Sequence, residues 1–278
     1  MKPSVMIYSL GRALAEGTLT VPAALRLIRE VGAEGVDLSN WHVTDYTDAE
    51  VGAMVRDAGL AVSCYIGGAD LTVTAAAQRA GALDTLRCVL DSAAAVGARV
   101  ALVTTGVCAA GQDRAAGRRH VAAGLAQLLP HARAVGVTLT IEDFGSLQSP
   151  YQTSDECLEC CALAGDALMM TYDSGNMVLG DQDSVEFLRE VAPRVVHAHA
   201  KDWKLLPPGA EGLPSRAGRN YAATVVGQGV LDYPAICAAL RELDYRGYLS
   251  FEYEGPDDPV QALRQGMTYL LSVMRAPD

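Results

Sequence analysis

No stretch of the sequence approaches the 18 or so consecutive apolar residues that a membrane-spanning helix needs, so no membrane partner is expected. Positive charge is scarce. Twenty-two Lys and Arg against 33 Asp and Glu leave a formal net charge of -11, a surface that repels phosphate backbones and argues against nucleic acid. The region after the first apolar run, YSLGRALAEG, has neither G-x-G-x-x-G nor a Walker motif, which removes the usual mark of an open nucleotide-binding sheet. Seven cysteines, odd in number and scattered, form no disulfide framework, and no apolar leader follows MKPS; a reducing cytoplasm is the expected compartment. Cys157, Cys160 and Cys161 cluster in SDECLECCALAG, yet no second Cys or Cys/His pair follows at zinc-site spacing, so they read as small buried hydrophobes. Histidine is limited to five residues, and two of them, His197 and His199, stand in one apolar segment, VVHAHAKD.

What is present is a globular composition: half the 278 residues are hydrophobic, a fifth are charged and 27 are Gly. Apolar runs rich in β-branched residues recur at 4–9, 34–38, 60–65, 99–104, 137–142, 167–173, 194–200 and 247–252, separated by segments with helical spacing of three and four. Glycine recurs at the helix-to-strand junctions VGAEG, AGLAV, VGARV, VGVTL and YRGYL, where a left-handed residue would close each helix. The length would also suit two small domains, but eight strand-then-helix units without a low-complexity linker predict one α/β domain over 1–278, a single (β/α)8 TIM barrel rather than an open doubly wound sheet. The Pro/Gly-rich segment 203–231 is far longer than an ordinary loop. It leaves the C-terminal end of the seventh strand, which makes it a lid or substrate loop rather than a flexible insertion.

Alternation along the last four strands then places chemistry. Leu139 and Ile141, Val196, Ala198 and Ala200, and Leu249 and Phe251 form the aliphatic sets expected under the helices. Glu142, Asp173, His199 and Glu252 consequently face inward from the ends of strands five to eight. Three carboxylates at one mouth repel and raise one another's pKa unless a cation lies between them. Oxygen donors with one imidazole suit a divalent ion, Mn, Mg, Co, Fe or Zn, with Mn the first choice and open positions left for substrate.

At these residues, in IEDFG, YDSGN, VVHAHAKD and FEYEG, and in GQGVLDYPAICAAL, the chain resembles the xylose isomerase-like barrel superfamily of sugar phosphate isomerases and epimerases along essentially its whole length. The resemblance implies that Glu142, Asp173, His199 and Glu252 bind the ion, and that Glu142 and Glu252 act as the acid/base pair around a metal-stabilised enediolate. It implies a small carbohydrate as substrate and association into a dimer or tetramer. The chain departs from the ketohexose 3-epimerase pattern: Asn176 stands where His is usual, Gln148 where a second Glu is, and Lys201, Asp202 and Trp203 where an Arg is.

Asn176, Lys201, Trp41 and Arg216 are the candidate substrate-binding residues. Lys201 continues the inward face above His199 and would hold a hydroxyl, carboxylate or phosphate, or else form a salt bridge to Asp202 or Glu254. Arg216, with Arg219, is a candidate phosphate clamp. Trp41, next to His42 on the rim, would stack on a sugar face. His197, one layer deeper than His199, reads as a buried support. The expected activity is a divalent-metal sugar isomerase or epimerase. A lyase acting on a keto-sugar, inosose or keto-glycoside is the alternative, ahead of a non-catalytic sugar-binding barrel or a DNA-repair endonuclease.

Overall fold

Eleven strands and nine α-helices run through residues 1–276, which are those described by the computed structural model. In chain order the strands are β1 (Lys2–Met6), β2 (Gly35–Ser39), β3 (Ala61–Gly68), β4 (Val100–Thr104), β5 (Thr138–Glu142), β6 (Met169–Asp173), β7 (Val195–Ala200), β8 (Asp202–Leu205), β9 (Leu213–Pro214), β10 (Asn220–Thr224) and β11 (Tyr248–Phe251). β1 to β7 and β11 pair in parallel and close into a barrel, β11 lying between β7 and β1. The eight long helices are α2 (Val21–Glu30), α3 (Asp48–Asp57), α4 (Ala76–Val96), α5 (Arg114–Val135), α6 (Ser154–Ala164), α7 (Ser184–Val191), α8 (Tyr233–Glu242) and α9 (Pro259–Arg275). A short α1 (Gly11–Ala15) precedes them. The chain belongs to the predicted (β/α)8 class.

Local chemistry sets the element ends. Thr47 and Glu50 form a reciprocal capping box at the start of α3, as Thr153 and Glu156 do for α6. Asp113, Asp183, Asp232 and Asp258 cap α5, α7, α8 and α9. At the other ends Gly32, Gly59, Gly97 and Gly136 adopt the left-handed conformation expected of them. YRGYL differs: the left-handed residue after α8 is Asp244, three positions before Gly247. The first strand also differs. It begins at Lys2 and gives way after Met6 to a 3-10 turn, Ile7–Leu10, whose Ile7 and Leu10 are buried.

Alternation divides the barrel wall as expected. Leu139, Ile141, Met170, Tyr172, Ala198, Ala200, Leu249 and Phe251 join the core between strands and helices. Each such fully buried large side chain contributes about 1.5–3 kcal/mol. The inward face carries a separate small cluster, Met6, Cys64, Ile66 and Leu102, beside hydrogen-bonded polar groups such as the Thr140 and Thr171 hydroxyls, 2.9 Å apart. Cys157, Cys160 and Cys161 are buried on α6, in the outer core. None of the helices is long and apolar enough to cross a membrane, among the described residues.

The segment 203–231 is not an irregular loop. β8 continues almost directly from β7 and pairs antiparallel with β10, which pairs with β9. Asp202 organises the return: its carboxylate accepts from the backbone N–H groups of Trp203, Gly227, Gly229 and Leu231. Gly227 is left-handed, and a Cβ on Gly229 would overlap the Asp202 carboxylate, so the turn is built around that side chain. Trp203 is buried beneath it.

Candidate metal centre and active-site cavity

Glu142 ends β5, Asp173 ends β6, His199 lies near the end of β7 and Glu252 follows β11. Register holds them at one level: His199 sits opposite both Asp173 and Ser250, and the Glu252 N–H donates to the Ala200 carbonyl. One donor atom from each of the four residues lies within 4.8 Å of all the others. His199 Nδ1 is 2.6 Å from Glu142 Oε1 and 3.1 Å from Glu252 Oε2. Yet Glu142 Oε1, Asp173 Oδ2, His199 Nδ1 and Glu252 Oε2 are all buried without a hydrogen-bond partner. Leaving one such atom unsatisfied costs about 1–3 kcal/mol, more if charged, and here four converge on one point. A divalent cation satisfies all four together, so the residues present fit the ion that the donor set calls for.

The other side of each ligand is held. The Asp173 Oδ1 atom accepts from the backbone N–H groups of Gly175 at 2.6 Å and Asn176 at 3.0 Å, the Asp side chain closing its own turn in YDSGN and leaving Oδ2 to the centre. His199 Nε2 is 3.1 Å from Asp37 Oδ2, and His197 Nε2 is 2.8 Å from the same oxygen. Asp37 Oδ1 accepts from the Ser63 hydroxyl at 2.5 Å, which is 2.6 Å from that of Ser4. Burial opposes the Asp37 charge, but His197 and then His199 hold its carboxyl far below the usual range. The ionised Asp37 therefore accepts a hydrogen bond from the Nε2–H of His199, which leaves Nδ1 turned toward the carboxylates. His197 is a support, as its depth suggested.

Above the centre, Lys201 Nζ is buried and lies 2.7 Å from Glu252 Oε1, 3.4 Å from Asp173 Oδ2 and 3.7 Å from Glu254 Oε1. Those carboxylates, Glu252 first, hold its ammonium well above the usual lysine value against the cost of burial. Of the two ion pairs considered from sequence, the one to Glu254 forms; Asp202 faces the β8–β10 turn instead. In return Lys201, then His199, bring Glu252 down to about 2 although burial acts the other way. Burial, and after it the Glu142 and Glu252 charges, push Asp173 up to about 7 against the pull of Lys201. Asp143, fully buried behind Glu142, is raised well above the carboxylate range by burial and then by Asp173 and Glu142.

Glu142, Lys201, Glu252 and Glu254 line a cavity of about 230 Å³. Asn176 lines it, its side-chain amide fixed on the Asp143 carbonyl and its Oδ1 3.4 Å from Lys201 Nζ. Trp41 lines it from the 3-10 turn after β2 and is 43% exposed. Next to it, His42 is set edge-on to Tyr8. Arg216 is elsewhere: its guanidinium bonds Glu156 Oε2 at 2.6 Å and Gln152 Oε1 at 2.8 Å, tying the 203–231 segment to the start of α6. Arg219 is likewise paired, with Asp181 at 2.6 Å. Asp37, Tyr8 and Phe144 belong to the site or its wall and were not singled out from the sequence; Glu254 was named only as an ion-pair partner for Lys201, and it also lines the cavity.

The Xylose isomerase-like TIM barrel family matches residues 25–273, and the chain belongs to that family. Among curated proteins it is 29% identical over 147 residues to an inosose dehydratase of Lacticaseibacillus casei, covering 51% of this chain and 48% of that one. It is 33% identical over 115 residues to a rhizopine catabolism protein of Rhizobium meliloti, covering 40% and 35%. The matched region thus spans less than half the length of these relatives. Among solved structures, an L-ribulose 3-epimerase superposes with a TM-score of 0.79 at 17% identity, over 98% of this chain and 94% of that one. A probable 3-DHS dehydratase of Bacillus anthracis superposes with a TM-score of 0.79 at 17% identity, over 98% and 99%. At those identities the superpositions speak for the fold.

Proposed function

We propose that the protein is a divalent-metal-dependent isomerase or epimerase of a small polyhydroxylated ketone or aldehyde, working by removal of the proton next to the carbonyl. The observation that carries this reading is the convergence of four buried donor atoms, on Glu142, Asp173, His199 and Glu252, none of which makes a well-aligned hydrogen bond, beside an open cavity that Glu142 and Glu252 line. Those four residues would hold the ion, with Mn favoured from the oxygen-rich donor set. When bound, the ion supplies a Lewis acid for the carbonyl oxygen.

The chain's own residues divide the remaining work. Glu142 and Glu252 stand on either side of His199, and each can carry a proton to or from substrate carbon. A carboxylate tied to an ammonium is the weaker base; Glu252 is so tied to Lys201 at 2.7 Å, which assigns the first abstraction to Glu142. Return of the proton to the opposite face gives an epimer, and delivery to the neighbouring carbon gives the aldose or ketose isomer. Trp41 and Trp203 wall the cavity, and Asn176 and Lys201 offer it hydrogen bonds.

Dehydration is the second reading, favoured by Lys201. Its ammonium lines the cavity, where it can hydrogen-bond a departing β-hydroxyl and stabilise the charge left on it, and the curated relatives at 29–34% identity include inosose dehydratases. Both readings begin with the same abstraction. A panel of ketoses, inososes and keto-glycosides in deuterated buffer, with metal analysis of the same sample, tests them together. Solvent deuterium entering carbon without loss of water supports isomerisation or epimerisation, and an unsaturated product supports the lyase. Glu142→Gln should lower exchange about 10²–10⁴-fold. Exchange that survives both chelator and this substitution overturns the proposal.

A further inference from the structure

The cavity over the carboxylates has a second lobe. Glu142 and Phe144 line both the main cavity and a side pocket of about 160 Å³ whose other walls include Val103, Thr105, Val107 and Tyr151. Two of its polar groups already answer each other: the Thr105 hydroxyl and the Tyr151 phenol are 2.6 Å apart and both buried. Val107 and Phe144, by contrast, are 42% and 40% exposed, large apolar side chains turned to solvent at its entrance. A polar substrate group reaching Thr105 and Tyr151 would lose water and find both hydroxyls already paired, whereas an apolar group would cover Val107 and Phe144 at no such cost. A dry cavity of about 150 Å³ is enough for a benzene ring.

Charge narrows the choice further. Lys201 is the one cation among the residues lining either lobe, and it already faces Glu252, Asp173 and Glu254. Arg216 and Arg219 are paired with Glu156 and Asp181. No cation lining either lobe is without carboxylate partners, and Glu142, at the junction of the lobes, repels a phosphate.

From these features we infer that the substrate is an uncharged sugar-derived ketone carrying an apolar ring, with the polyol part over the carboxylates and the ring in the side pocket against Val107 and Phe144. The inference rests on the proposed reading of the main cavity and adds the substituent. Calorimetric titration of the metal-loaded full chain with methyl and phenyl 3-keto-β-D-glucopyranoside tests it. The phenyl glycoside is expected to bind at least about tenfold tighter, the factor that about 1.4 kcal/mol supplies. Val107→Glu, which sets a charge in the pocket, should abolish that preference while metal content stays the same, and Phe144→Ser should reduce it. Equal affinity for the two glycosides, no binding of the phenyl glycoside at millimolar concentration, or a preference untouched by Val107→Glu would overturn the inference. Exchange of substrate protons with no phenyl preference removes the ring and leaves the proposed reaction standing; a phenyl preference without bound metal does the reverse.

Discussion

Asp37 has no exposed surface and makes three side-chain contacts, two imidazoles on one oxygen and the Ser63 hydroxyl on the other. Such an outer carboxylate raises the basicity of the ligating imidazole and fixes its tautomer, and its loss commonly costs 10–100-fold in metal affinity. Asp37→Asn preserves size but puts an amide where an anion faces two rings. Competition with a fluorescent chelator should show Mn affinity lower by about that factor with the circular dichroism of the fold unchanged. Unaltered affinity would make Asp37 a core residue only. Its inward direction was available from EGVDL, since Val36 and Leu38 flank it on the outer face just as Leu139 and Ile141 set the direction of Glu142. Tyr8 and Glu254 were not legible in this way. They lie beyond their strands, in a 3-10 turn and after β11, where a period of two no longer says where a side chain points.

Among the elements, the antiparallel sheet of β8, β9 and β10 carries the clearest local dependence. It is short, it stands outside the barrel, and one carboxylate closes it by accepting four backbone N–H groups. Asp202→Ala would leave those donors without their acceptor; the expected cost is about 2–3 kcal/mol. Limited proteolysis should then cut within 203–231 well before it cuts the barrel, and should cut the parent chain there only slowly. Equal cleavage rates would show that Trp203 and the strand pairing hold the segment unaided. The sequence marked this segment by its Pro and Gly content but not its strands, because β9 has only two residues and β10 pairs at long range without an alternating apolar face of its own. The barrel strands were legible for the opposite reason. Each is a short apolar run next to a helix, and most of those helices have a glycine or capping residue that can be read directly; the largest error, at β1, came where Ile7 and Leu10 prolong the apolar run into a 3-10 turn.

Taken as a whole, the barrel gathers acidic side chains from three strands, β5, β6 and β11, at its C-terminal mouth, with a histidine and a lysine from β7 between them. Glu142, Asp173, Glu252 and Glu254 face Lys201 and His199 there, so the folded chain concentrates negative charge that the unfolded chain would spread into water. Asp173 pushed up to about 7 is the local expression of that conflict. A divalent ion binding only the folded state relieves it and draws the folding equilibrium toward the native barrel. At a free concentration of about 100 times its dissociation constant the ion adds about 2.7 kcal/mol of stability. For a chain of this size each kcal/mol moves the midpoint about 2–4 °C, so Mn should raise Tm by roughly 5–10 °C and chelator should reverse it. Glu252→Gln should shrink the shift, since it removes a ligand, while Arg216→Lys, which lies outside the cavity, should keep the full response. A Tm indifferent to divalent ions across Mn, Mg, Co and Zn would mean that Lys201 and His199 alone neutralise the mouth and that the four free donor atoms serve some other purpose than holding a cation.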